Sequence, residues 1–199
     1  LTYAKNRGYD VLNPETIPVP KRGDKVPSYI SKEDVTKLID NAISVRDKAL
    51  ISLLYSSGIR VGECSRLNRE DIKGDTFTVI GKGNKARLCF VDKRAQHYIR
   101  VYLATRRDNN PALFLTEKKV RITSGRIQEV FKEVRARADM PHVHAHTLRH
   151  SFATNLLQQN CNLYYVQRML GHQSLQTTQQ YLHVVDEDLH KQYRLHHSI

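Results

Sequence analysis

Apolar residues recur along most of this chain at helical spacing, interrupted by two short runs of strand character. Ser31 ahead of Asp34 marks a helix start with a carboxylate variant of the capping box. Val35, Leu38 and Ile39 supply the buried stripe of that helix, which is predicted to run to about Asn41. A second helix is predicted from about Arg46 to Ser57 on Leu50, Leu53 and Leu54, with Gly58 as a natural C-terminal stop. Ile59-Arg60-Val61-Gly62-Glu63 then turns into a short helix through Leu67. Arg60 thus falls at a junction between helices, where a side chain leaves the core surface and reaches outward. Thr76 to Ile80 and Ala86 to Val91 are β-branched and aromatic runs, and Gly81-Lys82-Gly83-Asn84-Lys85 between them predicts a hairpin with a cationic tip. Helices follow from about Lys93 to Arg107, on Ile99 and Leu103, and from about Ser124 to Ala138, with a brief extended piece (Leu113 to Leu115) between. After Pro141, the positions Phe152, Leu156, Leu157, Val166, Met169 and Leu170 carry helical segments from His146 toward Tyr181. Asp186 to His197 is predicted as a last amphipathic helix on Leu189, Tyr193 and Leu195. The fold class is therefore α+β, mainly helical, with a small antiparallel β-hairpin.

Composition changes the picture at the N-terminus. Four of the six prolines (Pro14, Pro18, Pro20, Pro27) lie in the first 27 residues, among Lys21, Arg22, Gly23, Asp24 and Lys25. Proline fixes φ and holds its predecessor extended, so residues 1–27 read as a strap or linker and 28–199 as the folded domain. The abrupt opening at Leu1 suggests a piece of a longer protein, with a further domain upstream. A chain of 199 residues buries one good core and at most a second small one.

Charge narrows the partner. The 32 Lys+Arg against 20 Asp+Glu give a net charge of +12, which favours a polyanion, above all nucleic acid, over a merely basic surface. No apolar run approaches the ~20 residues of a membrane span, and no charged-then-apolar signal opens the chain. Cys64, Cys89 and Cys161 are far apart with no Cys-x-x-Cys pair, as expected of reduced thiols in a cytoplasmic protein.

The chemistry-bearing residues cluster around His146-Thr147-Leu148-Arg149-His150, with Gly171-His172 and Tyr181 downstream and Arg60 and Lys82 earlier. Two arginines, a lysine, two histidines and a tyrosine suit the transfer of a phosphodiester onto a tyrosine. Charge gathers on the non-bridging oxygens of the phosphoryl group, so the site needs positioned cations. Arginine donates two hydrogen bonds to a phosphate and stays charged. A tyrosine nucleophile, with a free pKa near ~10, needs a base or a strong positive field. A mobile lysine can protonate the departing oxygen, and with side-chain cations no metal or other cofactor is required.

This pattern resembles the tyrosine recombinases, the integrase and Xer group of site-specific DNA recombinases. The resemblance rests on Gly58-Ile59-Arg60-Val61-Gly62-Glu63, on Gly81-Lys82-Gly83-Asn84-Lys85, and on His146-Thr147-Leu148-Arg149-His150-Ser151-Phe152-Ala153-Thr154. It extends through Leu170-Gly171-His172 to Thr177-Thr178-Gln179-Gln180-Tyr181. It covers roughly Tyr29 to Val185 and implies the catalytic-domain fold of that family. By the same resemblance, Arg60 and Arg149 clamp the scissile phosphate and Lys82 is the general acid for the leaving 5′-hydroxyl. His146 acts as base or orients the tyrosine, His172 hydrogen-bonds a non-bridging oxygen, and Tyr181 attacks to give a 3′-phosphotyrosine. Glu63 buttresses Arg60, His150 supports the site, and Lys85 and Arg87 bind backbone phosphates. The implied partners are a double-stranded DNA site and further copies of the chain, a tetramer on DNA linked through the C-terminal tail. The resemblance also implies an N-terminal DNA-clamping domain, expected to lie upstream of the linker.

Plainer readings stand beside these. Lys85 and Arg87 compete with Lys82 for the acid, and Tyr164, Tyr165 and Tyr193 compete with Tyr181 for the nucleophile. His146 and His150 have the i, i+4 spacing of a zinc pair, but no carboxylate or cysteine stands nearby in sequence to complete a site. Type IB topoisomerase chemistry and a non-cleaving DNA-binding protein are the alternative functions.

Overall fold

The computed structural model of the chain describes residues 29–81, 83 and 85–171. Its first helix, α1 (Lys32–Asp40), begins where Ser31 Oγ accepts from the Asp34 amide at 3.0 Å, and it buries Val35, Leu38 and Ile39. Helix α2 (Val45–Ser57) is capped in the same way by Ser44. Its flanks are buried nearly all round, as suits the central helix of a core. It stops at Gly58, whose φ of +60° is left-handed. Arg60 then starts α3 (Val61–Arg66).

Strands β1 (Thr76–Ile80) and β2 (Ala86–Phe90) pair antiparallel, with Val79 opposite Arg87 and Ile80 opposite Ala86. Phe77, Val79 and Cys89 point into the core while Thr78, Ile80, Leu88 and Phe90 face out. Helix α4 (Lys93–Thr105), capped by Asp92, lies along α2. Where an extended piece was expected from Leu113 to Leu115, Leu113 and Phe114 form a bend between two isolated bridges (Asn68 to Ala112 and Leu115 to Arg121). Helix α5 (Ser124–Arg137) packs on α3, and α6 (Ala145–Gln158) packs on α2. The last described helix is α7 (Leu163–Leu170), ended by Gly171 at φ +66°.

The main apolar cluster spans α1 to α6 and both strands, including Leu50, Leu53, Phe114, Ile127 and Leu148. A second, small cluster of Ala153, Leu157, Val166 and Leu170 fastens α7 to α6. Helix α6 is therefore clamped on two sides, by the main core through Leu148 and by α7 through Ala153 and Leu157. Among the described residues the fold is seven helices with one two-stranded sheet, the α+β arrangement expected of the sequence. The proline-rich segment 1–27 and the predicted helix at 186–197 lie outside the described residues, as do Lys82, His172 and Tyr181.

Candidate active site

Two helix ends meet at Arg149. The last carbonyls of a helix have no partner within it, and they form the negative end of the helix dipole. Arg149, on α6 and only 3% exposed, donates Nη1 to the Gly58 carbonyl and Nη2 to the Leu170 carbonyl at 2.6 Å. One buried cation thereby satisfies the C-terminal ends of α2 and α7. Its position is fixed by backbone on both sides, which is what a preorganised phosphate ligand needs.

Arg60 reaches the same space from the start of α3. Its amide donates to Glu63 Oε2 at 2.7 Å and its Nη1 to Glu63 Oε1 at 3.3 Å. The side chain remains 43% exposed, so the guanidinium is oriented by the carboxylate and still accessible. His146 sits in the first turn of α6, exposed at the mouth of the cleft. Loss of water within that concave surface, reinforced by the charges of Arg149 and Arg60, lowers its pKa below the ordinary histidine value. A neutral ring is a proton acceptor, so this electrostatic setting suits a base. The His150 ring meets His146 edge-on, with centroids 4.5 Å apart. Burial, with His146 and Arg149 beside it, lowers His150 to about 4.

Arg60, His146 and Arg149 line one cleft of about 640 Å³. Its opposite wall is α5, which contributes Gln128, Lys132 and Arg135. Sequence reasoning missed these three. Their 128, 132, 135 spacing, opposite the buried Ile127, Val130, Phe131 and Val134, does mark one polar helix face. That this face looks onto Arg60 follows only from the packing of α5 on α3. Among the described residues no group of three or more His, Cys, Asp or Glu side chains is placed to hold a metal.

On the hairpin, Arg87, expected to meet backbone phosphates, turns inward. Its Nη1 and Nη2 donate to Glu63 Oε1 and Oε2 at 2.8 and 2.7 Å, and its Nε to the Met169 carbonyl at 3.0 Å. Its side chain is 9% exposed, and each of its three nitrogens donates to one of these acceptors. Alternation decides this: Arg87 pairs with the inward-facing Val79, whereas a surface arginine would have to sit one residue away. Burial alone would raise the Glu63 pKa. The hydrogen bonds from Arg87 and the Arg60 amide, with the two positive charges, carry it below the usual carboxylate value. Lys85, by contrast, is exposed at the end of the hairpin, with its carbonyl accepting from Gly81 N at 2.9 Å.

Residues 28–188 match the phage integrase family. The chain is 36% identical over 199 aligned positions to tyrosine recombinase XerC of Psychromonas ingrahamii, an alignment covering 93% of this chain and 67% of that protein. Among solved structures it is similar to XerA recombinase, with a TM-score of 0.75 and 28% identity over 88% of this chain and 67% of the other. The XerH site-specific recombinase bound to its palindromic difH substrate, in a post-cleavage complex, gives a TM-score of 0.72 and 25% identity over 90% of this chain and 56% of the other. Among the described residues no helix is long and apolar enough to cross a membrane.

Proposed function

This chain belongs to the phage integrase family, and on that premise we propose that its cleft holds the scissile phosphate of a double-stranded DNA site. The protein is a tyrosine-type site-specific DNA recombinase. The observation that carries the assignment of residues is the convergence of Arg60, His146 and Arg149 on one cleft, with Arg149 pinned by two helix-end carbonyls.

Arg60 and Arg149 neutralise the non-bridging oxygens as charge gathers on them. The Tyr181 oxygen attacks phosphorus while His146 takes its proton. The bond from phosphorus to the 5′-oxygen breaks, and Lys82 supplies the proton that the leaving oxygen needs. His172 donates to a non-bridging oxygen, and Glu63 and His150 hold Arg60 and His146 in place. The product is a 3′-phosphotyrosine, which conserves the bond energy, so a 5′-hydroxyl from a second strand reverses the step without ATP or metal. Exposed Lys85 and Lys132 meet backbone phosphates. Residues 1–27 act as a linker, and strand exchange proceeds in the cytoplasm, in a tetramer on DNA whose protomers engage through the C-terminal tail.

The test is covalent capture. A pool of duplexes of randomised sequence, each nicked so that the cleaved end diffuses away, is incubated with the protein and probed for a denaturant-resistant protein–DNA adduct. Wild type yields the adduct and Tyr181→Phe does not. Absence of adduct with wild type, or its persistence in Tyr181→Phe, overturns the assignment. The sequence enriched in the adduct defines the site.

A further inference from the structure

Arg87 lies where the start of α3, the base of the hairpin and the end of α7 come together. Its guanidinium grips both oxygens of Glu63, the carboxylate that orients Arg60. Its Nε holds the Met169 carbonyl in the last turn of α7. Two glycines close around it. A Cβ on Gly171 would meet Arg87 Cδ at 2.8 Å, and a Cβ on Gly81 would stand 3.3 Å from its Nη1 and 3.8 Å from Glu63 Oε1. Gly81 immediately precedes Lys82, and Gly171 immediately precedes His172. Both backbones thus approach the guanidinium as closely as they do because neither carries a side chain.

We propose that Arg87 is a positioning residue for strand cleavage, holding through one buried guanidinium the base of the hairpin that presents Lys82 against α3 and the end of α7. This rests on the reading of Lys82 given above. The physical basis is the rigid fork. A guanidinium donates two parallel bonds to a carboxylate and a third along its edge, in one plane. The plane fixes Glu63 against the base of the hairpin and against the end of α7. A lysine at the same position keeps the charge but makes a single point contact, so the hairpin base regains freedom relative to α3. A displacement on the order of 1 Å at a reacting group lowers rate by ~100-fold without any loss of binding contacts.

The experiment uses the full chain and the DNA site recovered in the capture assay, in two forms. One carries the natural phosphodiester. The other carries sulfur in place of the bridging 5′-oxygen, so that a thiolate leaves without needing a proton from Lys82. Arg87→Lys is compared with Gly81→Ala, which retains every charge and crowds the guanidinium from the hairpin side. The expected result is a fall of ~10- to 100-fold in the rate of adduct formation at saturating DNA for Arg87→Lys, with unchanged DNA affinity. Gly81→Ala shows a smaller fall of the same kind. On the sulfur-containing DNA both deficits are largely erased, because the group they displace is no longer required. Should Arg87→Lys fold poorly by thermal melting, Gly81→Ala decides. Wild-type rates in both variants, or deficits of equal size on the two substrates, overturn the proposal. Wild-type protein that forms no Tyr181-dependent adduct removes the underlying functional reading itself, and the proposal with it.

Discussion

Replacing Glu63 with glutamine removes a single charge from the centre of this framework. Glu63 is 5% exposed and accepts from Arg87 at 2.8 and 2.7 Å and from the Arg60 amide at 2.7 Å. A glutamine keeps one acceptor oxygen and turns an NH2 donor toward a guanidinium that also only donates. Arg87, nearly enclosed, would be left without its counter-charge. Removing one partner of a buried pair costs about 3–5 kcal/mol. The contact with the Arg60 side chain, 43% exposed, adds no more than ~1 kcal/mol because water screens it. For a domain of this size the total corresponds to a fall in Tm of roughly 6–24 °C. The chain has no tryptophan, so urea unfolding is best followed by far-UV circular dichroism. The pH dependence supplies a second readout. The folded pKa of Glu63 lies below its unfolded value, so its stabilisation is fully present above ~4.3 and is lost as pH falls through the lower folded value. Wild type and Glu63→Gln should therefore differ most at neutral pH and converge in acid. A gap at pH 7 below ~1 kcal/mol, the range of an exposed pair, or one that does not narrow on acidification, refutes the reasoning.

Two further perturbations test other parts of the framework. Gly58→Ala places a Cβ 2.5 Å from Phe152 Cδ1 at a φ of +60°. The left-handed backbone costs ~1–2 kcal/mol and the overlap a further ~1–3 kcal/mol, read as a lower urea midpoint at unchanged slope; a loss under ~0.5 kcal/mol contradicts the close approach of α6 to this turn. His150, depressed to about 4, binds its proton more readily in the unfolded chain, so stability should fall by about 2–3 kcal/mol as pH drops from ~6.5 toward 4. His150→Gln should flatten that part of the stability profile, and parallel profiles for the two proteins would show that the ring is not held neutral.

Local information in the sequence determined the elements of this protein. Ser31, Asp92 and Thr123 accept from the amides three residues on, and Gly58 takes the left-handed turn that ends α2. Such caps, with period-3.6 and period-2 apolar patterns, act within one or two turns of chain, so they are legible residue by residue. The reactive residue types and their order were legible for the same reason. Which cations remain accessible was decided by the tertiary structure. Arg149 finds its carbonyls 91 and 21 residues away in sequence, and Arg87 finds Glu63 24 and Met169 82 residues away. A guanidinium looks the same in sequence whether it will face water, phosphate or a buried carboxylate. Its fate depends on which distant backbone and side chains the core packing brings within ~3 Å. The wall formed by Gln128, Lys132 and Arg135 is of the same kind. Helical spacing puts them on one face, but only the seating of α5 against α3 aims that face into the cleft with Arg60 and Arg149.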